Sequence, residues 1–395
     1  MVVLLLFSVI LTLCLPIVSI PLNFIGMIIT DGKIRKCYGT LFALSLAIMA
    51  FIWVPNESSD LYRYHQQMQV MKGQDLGFYL SSAKEAFEPA HHLIKYAVAQ
   101  TGNYALLQFL GVLLCFFGMT WLACDYAETK KMKKTSFVLS LVYMLVANGF
   151  MYYASAIWCY LAIICIAIGL YLNFFKRKKY LQYVFFALAA CLHIGTLYVV
   201  IFAILFSNMK IFREVKLPLM VTVSIFTLLF STIIQTIGNM LGSETAIGAV
   251  ILDMYDEYFI NSDKFKNLHE GWNLYLPLFN SIVGLVVGLM QSKNKSLSEY
   301  SSVIVYLSIF TIVTMLTAGV FLRFGLLVVI VASPLLIETF ETLNKKHLLL
   351  AFYAVIIILS CMQAYRSCAK MEESGLTKRI GDNLTSGIGI IFKES

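Results

Sequence analysis

The stretch Pro55 to Gly102, PNESSDLYRYHQQMQVMKGQDLGFYLSSAKEAFEPAHHLIKYAVAQTG, is a polar island between two apolar runs, Leu41 to Val54 and Tyr104 to Cys124. It gathers Asp60, Arg63, Tyr64, His65, Glu88, His91, His92 and Lys95 into one loop. An apolar run on each side, long enough to approach the roughly 20 residues that cross a bilayer, makes this loop the exposed part of a chain built for lipid. Ionisable groups in such a chain are costly unless they face water, a partner charge or a substrate, so the island is the first place to look for function.

Composition agrees. Hydrophobic residues make up 59% of the 395 and charged residues 13%, against about 25% charged in soluble domains. Further apolar runs lie at Val2 to Ile20, Phe137 to Tyr153, Ile157 to Phe175, Leu181 to Phe206, Leu217 to Ile237, Trp272 to Met290, Val303 to Val320, Phe324 to Ile337 and Leu348 to Met362. The expected fold is an all-α polytopic membrane protein of about 10 to 11 transmembrane helices. It forms a single membrane domain over residues 1–395, with extracytoplasmic loops at 55–103 and 241–271 and a terminal tail at 365–395. The first run lacks a basic start and a small-residue cleavage pattern, which makes it a retained anchor.

The net charge of +8 raises the question of nucleic acid. The bases, however, sit in short loops between spans, where anionic inner-leaflet lipid explains them and no nucleic-acid partner is implied. The nine cysteines form no CxxC and lie mostly inside apolar runs, so neither a disulfide framework nor a zinc site is expected. Lys33, Arg35 and Lys36, then Lys130 to Lys134, Lys176 to Lys179, and Lys293 with Lys295 mark cytoplasmic loops, which places the polar island outside. Lys210, Arg213 and Lys216 break the alternation. Either those bases are an exception to the rule, or the Leu181 to Phe206 run is re-entrant, turning near Cys191 to Gly195, which restores the alternation.

Within the island Ser58 or Ser59 can cap a helix running through Met71, and Pro89 suits the first turn of a second helix ending near Gly102. Asp60 and Arg63, three apart, share a helix face with Tyr64 and His65 nearby. They are either a surface ion pair or an arginine held ready for phosphate oxygens. Glu88 sits at the break before Pro89 and is either a cap or a catalytic group. His91 and His92 are adjacent, so they diverge on a helix and do not make a metal pair. His193, inside an apolar run, is a satisfied core histidine or a proton acceptor. Arg323, in another, must snorkel, pair or bind an anion.

Asp60-Leu61-Tyr62-Arg63-Tyr64, Glu88-Pro89, His193-Ile194-Gly195-Thr196-Leu197 and Arg323, in that order and spacing, resemble the EpsG family of Wzy-type polysaccharide polymerases. The chain departs from the family pattern where it reads Ala156-Ile157-Trp158-Cys159 in place of an arginine followed by glutamine or a small residue. The resemblance implies glycosyl transfer, without metal or other cofactor, at the outer face of a bacterial inner membrane. An undecaprenyl-diphosphate-linked glycan is joined to a lipid-linked repeat unit, making a cell-surface or exopolysaccharide, with a chain-length regulator as a possible partner. On that expectation Asp60, Glu88 and His193 are the catalytic candidates. Arg63 and Arg323 face the diphosphate, and Tyr64, His65 and His92 contact substrate. A lipid-linked oligosaccharide flippase and a membrane acyltransferase are the alternatives.

Overall fold

The computed structural model describes residues 2–55, 57, 59–77, 79, 88–147, 149–256, 260, 272–317, 324–342, 351–355, 357–359, 361–362 and 365. Every regular element among these residues is helical. The helices fall into two compact units, Met1–Leu197 with Phe340–Ser395, and Tyr198–Thr339. Among the described residues five helices are long and apolar enough to cross a membrane, or six if one bent pair counts as a single span, and six shorter apolar helices accompany them. The chain is an all-α, multi-pass membrane protein.

The first unit is built on three long helices, α3 (Gly32–Ile52), α6 (Leu106–Lys130) and α9 (Ile157–Lys176). Around them lie α1 (Val2–Cys14), α2 (Pro16–Ile29), α7 (Lys134–Val146), α8 (Phe150–Ser155) and α10 (Lys179–Leu192). The first apolar run is thus broken before Pro16, where proline begins a new helix instead of continuing the old one. Lipid offers no hydrophobic drive between helices, so close packing and polar contacts hold them together. Ser19 on α2 shares a hydrogen bond of 2.6 Å with Ser45 on α3, and the Asn23 amide donates to Thr12 of α1 at 2.8 Å and to Ser45 at 3.1 Å. Gly111 and Gly118, one heptad apart on α6, admit the side chains of Ile157 and Ile164 of α9 into the space a Cβ would fill.

At one end of this unit the basic loops converge. Lys36 and Lys176 donate to the two oxygens of Asp125 at 2.5 and 2.6 Å, and Tyr171 adds a third hydrogen bond at 2.7 Å. Buried Arg35 reaches Asp31 at 2.5 Å and Glu128 at 2.7 Å, and Lys133 pairs with Glu341 at 3.1 Å. The opposite end carries the polar island, folded as α4 (Asp60–Met71) and α5 (Pro89–Thr101). Ser59 caps α4, its Oγ accepting from the Tyr62 N–H at 3.2 Å. Pro89 opens α5, and Gly102 ends it at φ +75°, a conformation glycine adopts without strain.

In the second unit α11 (Leu197–Asn208) leads to α12 (Leu217–Leu228) and α13 (Phe230–Leu241), then α14 (Ala246–Tyr255), α15 (Trp272–Gln291), α16 (Ser298–Thr317) and α17 (Phe324–Thr342). The run Leu217 to Ile237, read from the sequence as one span, bends by 53° between α12 and α13. Arg213 and Glu214 accept hydrogen bonds from Ser302 (3.0 Å) and Tyr306 (2.8 Å) near the start of α16. The bases Lys210, Arg213 and Lys216 therefore share an end of this unit with Lys293 and Lys295. The helix preceding α11 stops at Leu192, with His193 extended at φ −154° and ψ 112°. Most of the second expected loop, 257–259 and 261–271, and nearly all of the tail lie outside the described residues.

A larger residue at Gly118 has to displace Ile164. Gly118→Leu is expected to lower stability by about 1–3 kcal/mol, seen as a lower unfolding midpoint of the purified protein in detergent, with Gly118→Ala intermediate.

Candidate functional site

Glu88 is the centre of the polar island. Its Oε1 accepts the His193 Nδ1–H at 3.0 Å and the Ile194 N–H at 2.7 Å, and its Oε2 accepts the His91 Nδ1–H at 2.6 Å. Local structure explains each donor. The stop of α10 at Leu192 leaves His193 extended and the Ile194 N–H pointing out of the helical ladder, while Pro89 holds Glu88 just before α5 so that His91, one turn on, can reach back. Burial alone would raise the carboxyl, but the hydrogen bonds from His193 and His91 outweigh it and hold Glu88 well below the usual carboxylate range. An ionised carboxylate only accepts, so each imidazole carries its proton on Nδ1.

Burial pushes His91 down to about 4, against the hydrogen bond to Glu88 and with help from the nearby Lys95 charge, so His91 is neutral at ordinary pH. Its Nε2 is then a bare acceptor, and it is buried with no partner among the described residues. The His91 ring stacks on Trp158 of α9, centroids 4.2 Å apart, and the Trp158 Nε1–H is likewise buried without a partner. An unmet buried polar atom costs about 1–3 kcal/mol. Tyr64 leans edge-on against both rings, at 5.6 Å from His91 and 6.2 Å from Trp158.

Two cations flank Tyr64. The Arg63 guanidinium carbon lies 5.8 Å from the ring centroid, and Lys95 Nζ lies 5.7 Å from it while donating to Gln67 at 2.8 Å. Lys95 is almost completely buried, and this desolvation pulls its ammonium down to about 8, with Glu88 opposing and Arg63 assisting the shift.

The sequence candidates therefore divide. Glu88 and His193 meet directly, and Tyr64 joins them through His91. Asp60 pairs with Arg63 at 3.0 Å on the exposed edge of the group. His92 turns to Tyr79, whose hydroxyl lies 2.8 Å from its Nδ1. His65 packs beside Tyr104, centroids 6.1 Å apart, and burial pushes it down to about 4, so it stands apart from the Glu88 group. Arg323 lies outside the described residues. His91, Lys95 and Trp158 are the members that the residue-by-residue reading left out of the site. The signal for His91 and Lys95 was their spacing of four, which puts both on one face of α5 one turn after Glu88. Trp158 stands where the expected arginine was absent.

Because folded His91 resists protonation until about 4 while an unfolded histidine takes a proton near 6.5, the unfolded state gains protons between these values and stability falls as pH drops through that window. Unfolding midpoints measured from pH 7 down to pH 5 should decline for the native chain and decline less for His91→Phe.

The sequence profile of the EpsG family matches residues 36–376, a span that includes the island, the His193 break and Arg323. No curated protein and no solved structure matches the chain. A match over most of the sequence, joined to a polytopic all-α fold, decides the assignment: this chain belongs to the EpsG family, a Wzy-type polymerase-like family.

Proposed function

We propose that the chain is a polysaccharide polymerase that joins undecaprenyl-diphosphate-linked oligosaccharide repeat units by glycosyl transfer at the outer face of a bacterial inner membrane. The observation that carries this reading is the Glu88 carboxylate held between His193 and His91 beside the cation pair Arg63 and Lys95. Such a transfer needs a group to take the acceptor hydroxyl proton and positive charge where the diphosphate leaves. A carboxylate that fixes an imidazole with its Nδ1 protonated is the arrangement that orients histidine as a general base. Asp60, from the same set of candidates, steadies Arg63 instead.

In this mechanism the acceptor oxygen attacks the anomeric carbon as the imidazole removes its proton. The bond from that carbon to the diphosphate oxygen breaks, and Arg63 and Lys95 neutralise the departing charge. Arg323 remains a candidate for the same task. The convergence of Lys33 to Lys36, Lys130 to Lys134 and Lys176 to Lys179 at the end opposite the site supports an extracytoplasmic site, since such bases are retained in the cytoplasm.

Deletion of the chain should leave single repeat units on their lipid carrier, facing outward. Complementation with Glu88→Ala, His193→Ala or Arg63→Ala, each at normal protein level, should fail to restore long polymer. Long polymer at native amounts in all three strains would sink the proposal, and repeat units trapped on the inner face would point to a flippase. Removal of the Lys95 charge should also weaken turnover above about pH 8. Lys95→Arg, whose charge persists, should carry activity to higher pH in an extension assay.

A further inference from the structure

The His91 and Trp158 pair carries an assignment beyond this reading of the reaction, though it rests on it for the identity of the ligand. His91 Nε2 is an acceptor and Trp158 Nε1–H is a donor. Both are buried, both lack a partner among the described residues, and they belong to rings in stacked contact. The His91 side chain is 9% exposed and Trp158 is among the largest fully buried side chains. The two atoms come from α5 and α9, so the pairing is built by the fold and is not a local accident of one helix. An unmet donor on one ring and an unmet acceptor on the ring stacked against it match a hydroxyl group, which accepts through oxygen and donates through hydrogen. A carboxylate or phosphate, which only accepts, would leave the imidazole unsatisfied, and an ammonium, which only donates, would leave the indole so.

We propose that a sugar hydroxyl of the acceptor repeat unit is held between Trp158 Nε1–H and His91 Nε2, and that His91 takes its proton. In the transfer step the acceptor O–H bond breaks toward Nε2, the new bond forms from that oxygen to the anomeric carbon, and the diphosphate leaves with the electrons of its bond. The imidazolium that results is held by Glu88 through Nδ1–H, at 2.6 Å, until the proton passes to solvent. Tyr64, edge-on to both rings, covers the pair, so its ring moves aside as the hydroxyl enters. A buried water is the other source of the same chemistry, and it would make the pair purely structural.

The test uses the full-length protein in detergent with lipid-linked repeat units extracted from cells lacking the chain, and it reads binding by shift of the unfolding midpoint and elongation by product length. The variants are Trp158→Phe, which keeps the stacked ring and removes the donor, and His91→Phe. Trp158→Phe should lose most of the ligand-induced shift and raise KM roughly tenfold. His91→Phe should cut kcat by about 100-fold or more. Trp158→Phe should not lower the ligand-free midpoint at pH 7, since it removes an unsatisfied buried atom, whereas His91→Phe also takes a donor from Glu88 and should lower it. Native ligand-induced shift and native KM in Trp158→Phe, together with a lowered ligand-free midpoint, would assign the pair to a structural water and overturn the proposal. If the native chain binds the repeat unit without elongating it, the polymerase reading fails, and loss of the shift in Trp158→Phe still upholds the hydroxyl site. No shift with the native chain overturns both.

Discussion

A carboxylate withdrawn from water must be surrounded by donors, and Glu88 is surrounded by three. The local structure of the segments that meet Glu88 serves that demand. His193 supplies one donor because α10 ends before it, and Ile194 supplies another because the helical ladder has just been interrupted. His91 supplies the third from the first turn of α5. Breaking one such bond strands charge in a place where water does not compensate it, so the three donors and the acceptor stand or fall together. The arrangement also fixes tautomers. With Nδ1 engaged on both rings, the chemistry of each imidazole is confined to its other nitrogen.

Much of the local structure was legible in the chain. Ser59 before an acidic first turn, Pro89 at a first helical position and Gly102 after the last turn are signals whose physics is confined to a few residues, and each appears where it was read. His193 stood out because an imidazole in an apolar run demands a partner. The partner could not be read, since Glu88 lies 105 residues away and no periodicity encodes that distance. The stack of His91 on Trp158 was hidden for the same reason, joining a loop helix to a membrane helix. Long apolar runs announced spans but not their breaks. The bend between α12 and α13 falls within a stretch whose hydropathy gives no warning of it.

Placement of charge divided more cleanly. Of the bases grouped from the sequence, Lys33 to Lys36, Lys130 to Lys134 and Lys176 to Lys179 gather at one end of the first unit, where carboxylates from α6 neutralise part of them. The cations that matter at the other end are different in kind. Arg63 is exposed and steadied by Asp60, whereas Lys95 is buried against an aromatic face. An arginine keeps its charge at any accessible pH, and a desolvated lysine does not. The two cations therefore give this end one permanent charge and one that responds to its surroundings.

Asp125 gathers Lys36 from α3 and Lys176 from the end of α9, on the far side of the unit from Glu88. Helices fastened at the foot and seated along a glycine seam are held along their length, much as the staves of a tub are held by the hoop at the base. At the other end Trp158 sits in the first turn of α9. Such a build keeps the anchorage independent of the rim, so that a change at Trp158 or His91 need not loosen the clasp at Asp125.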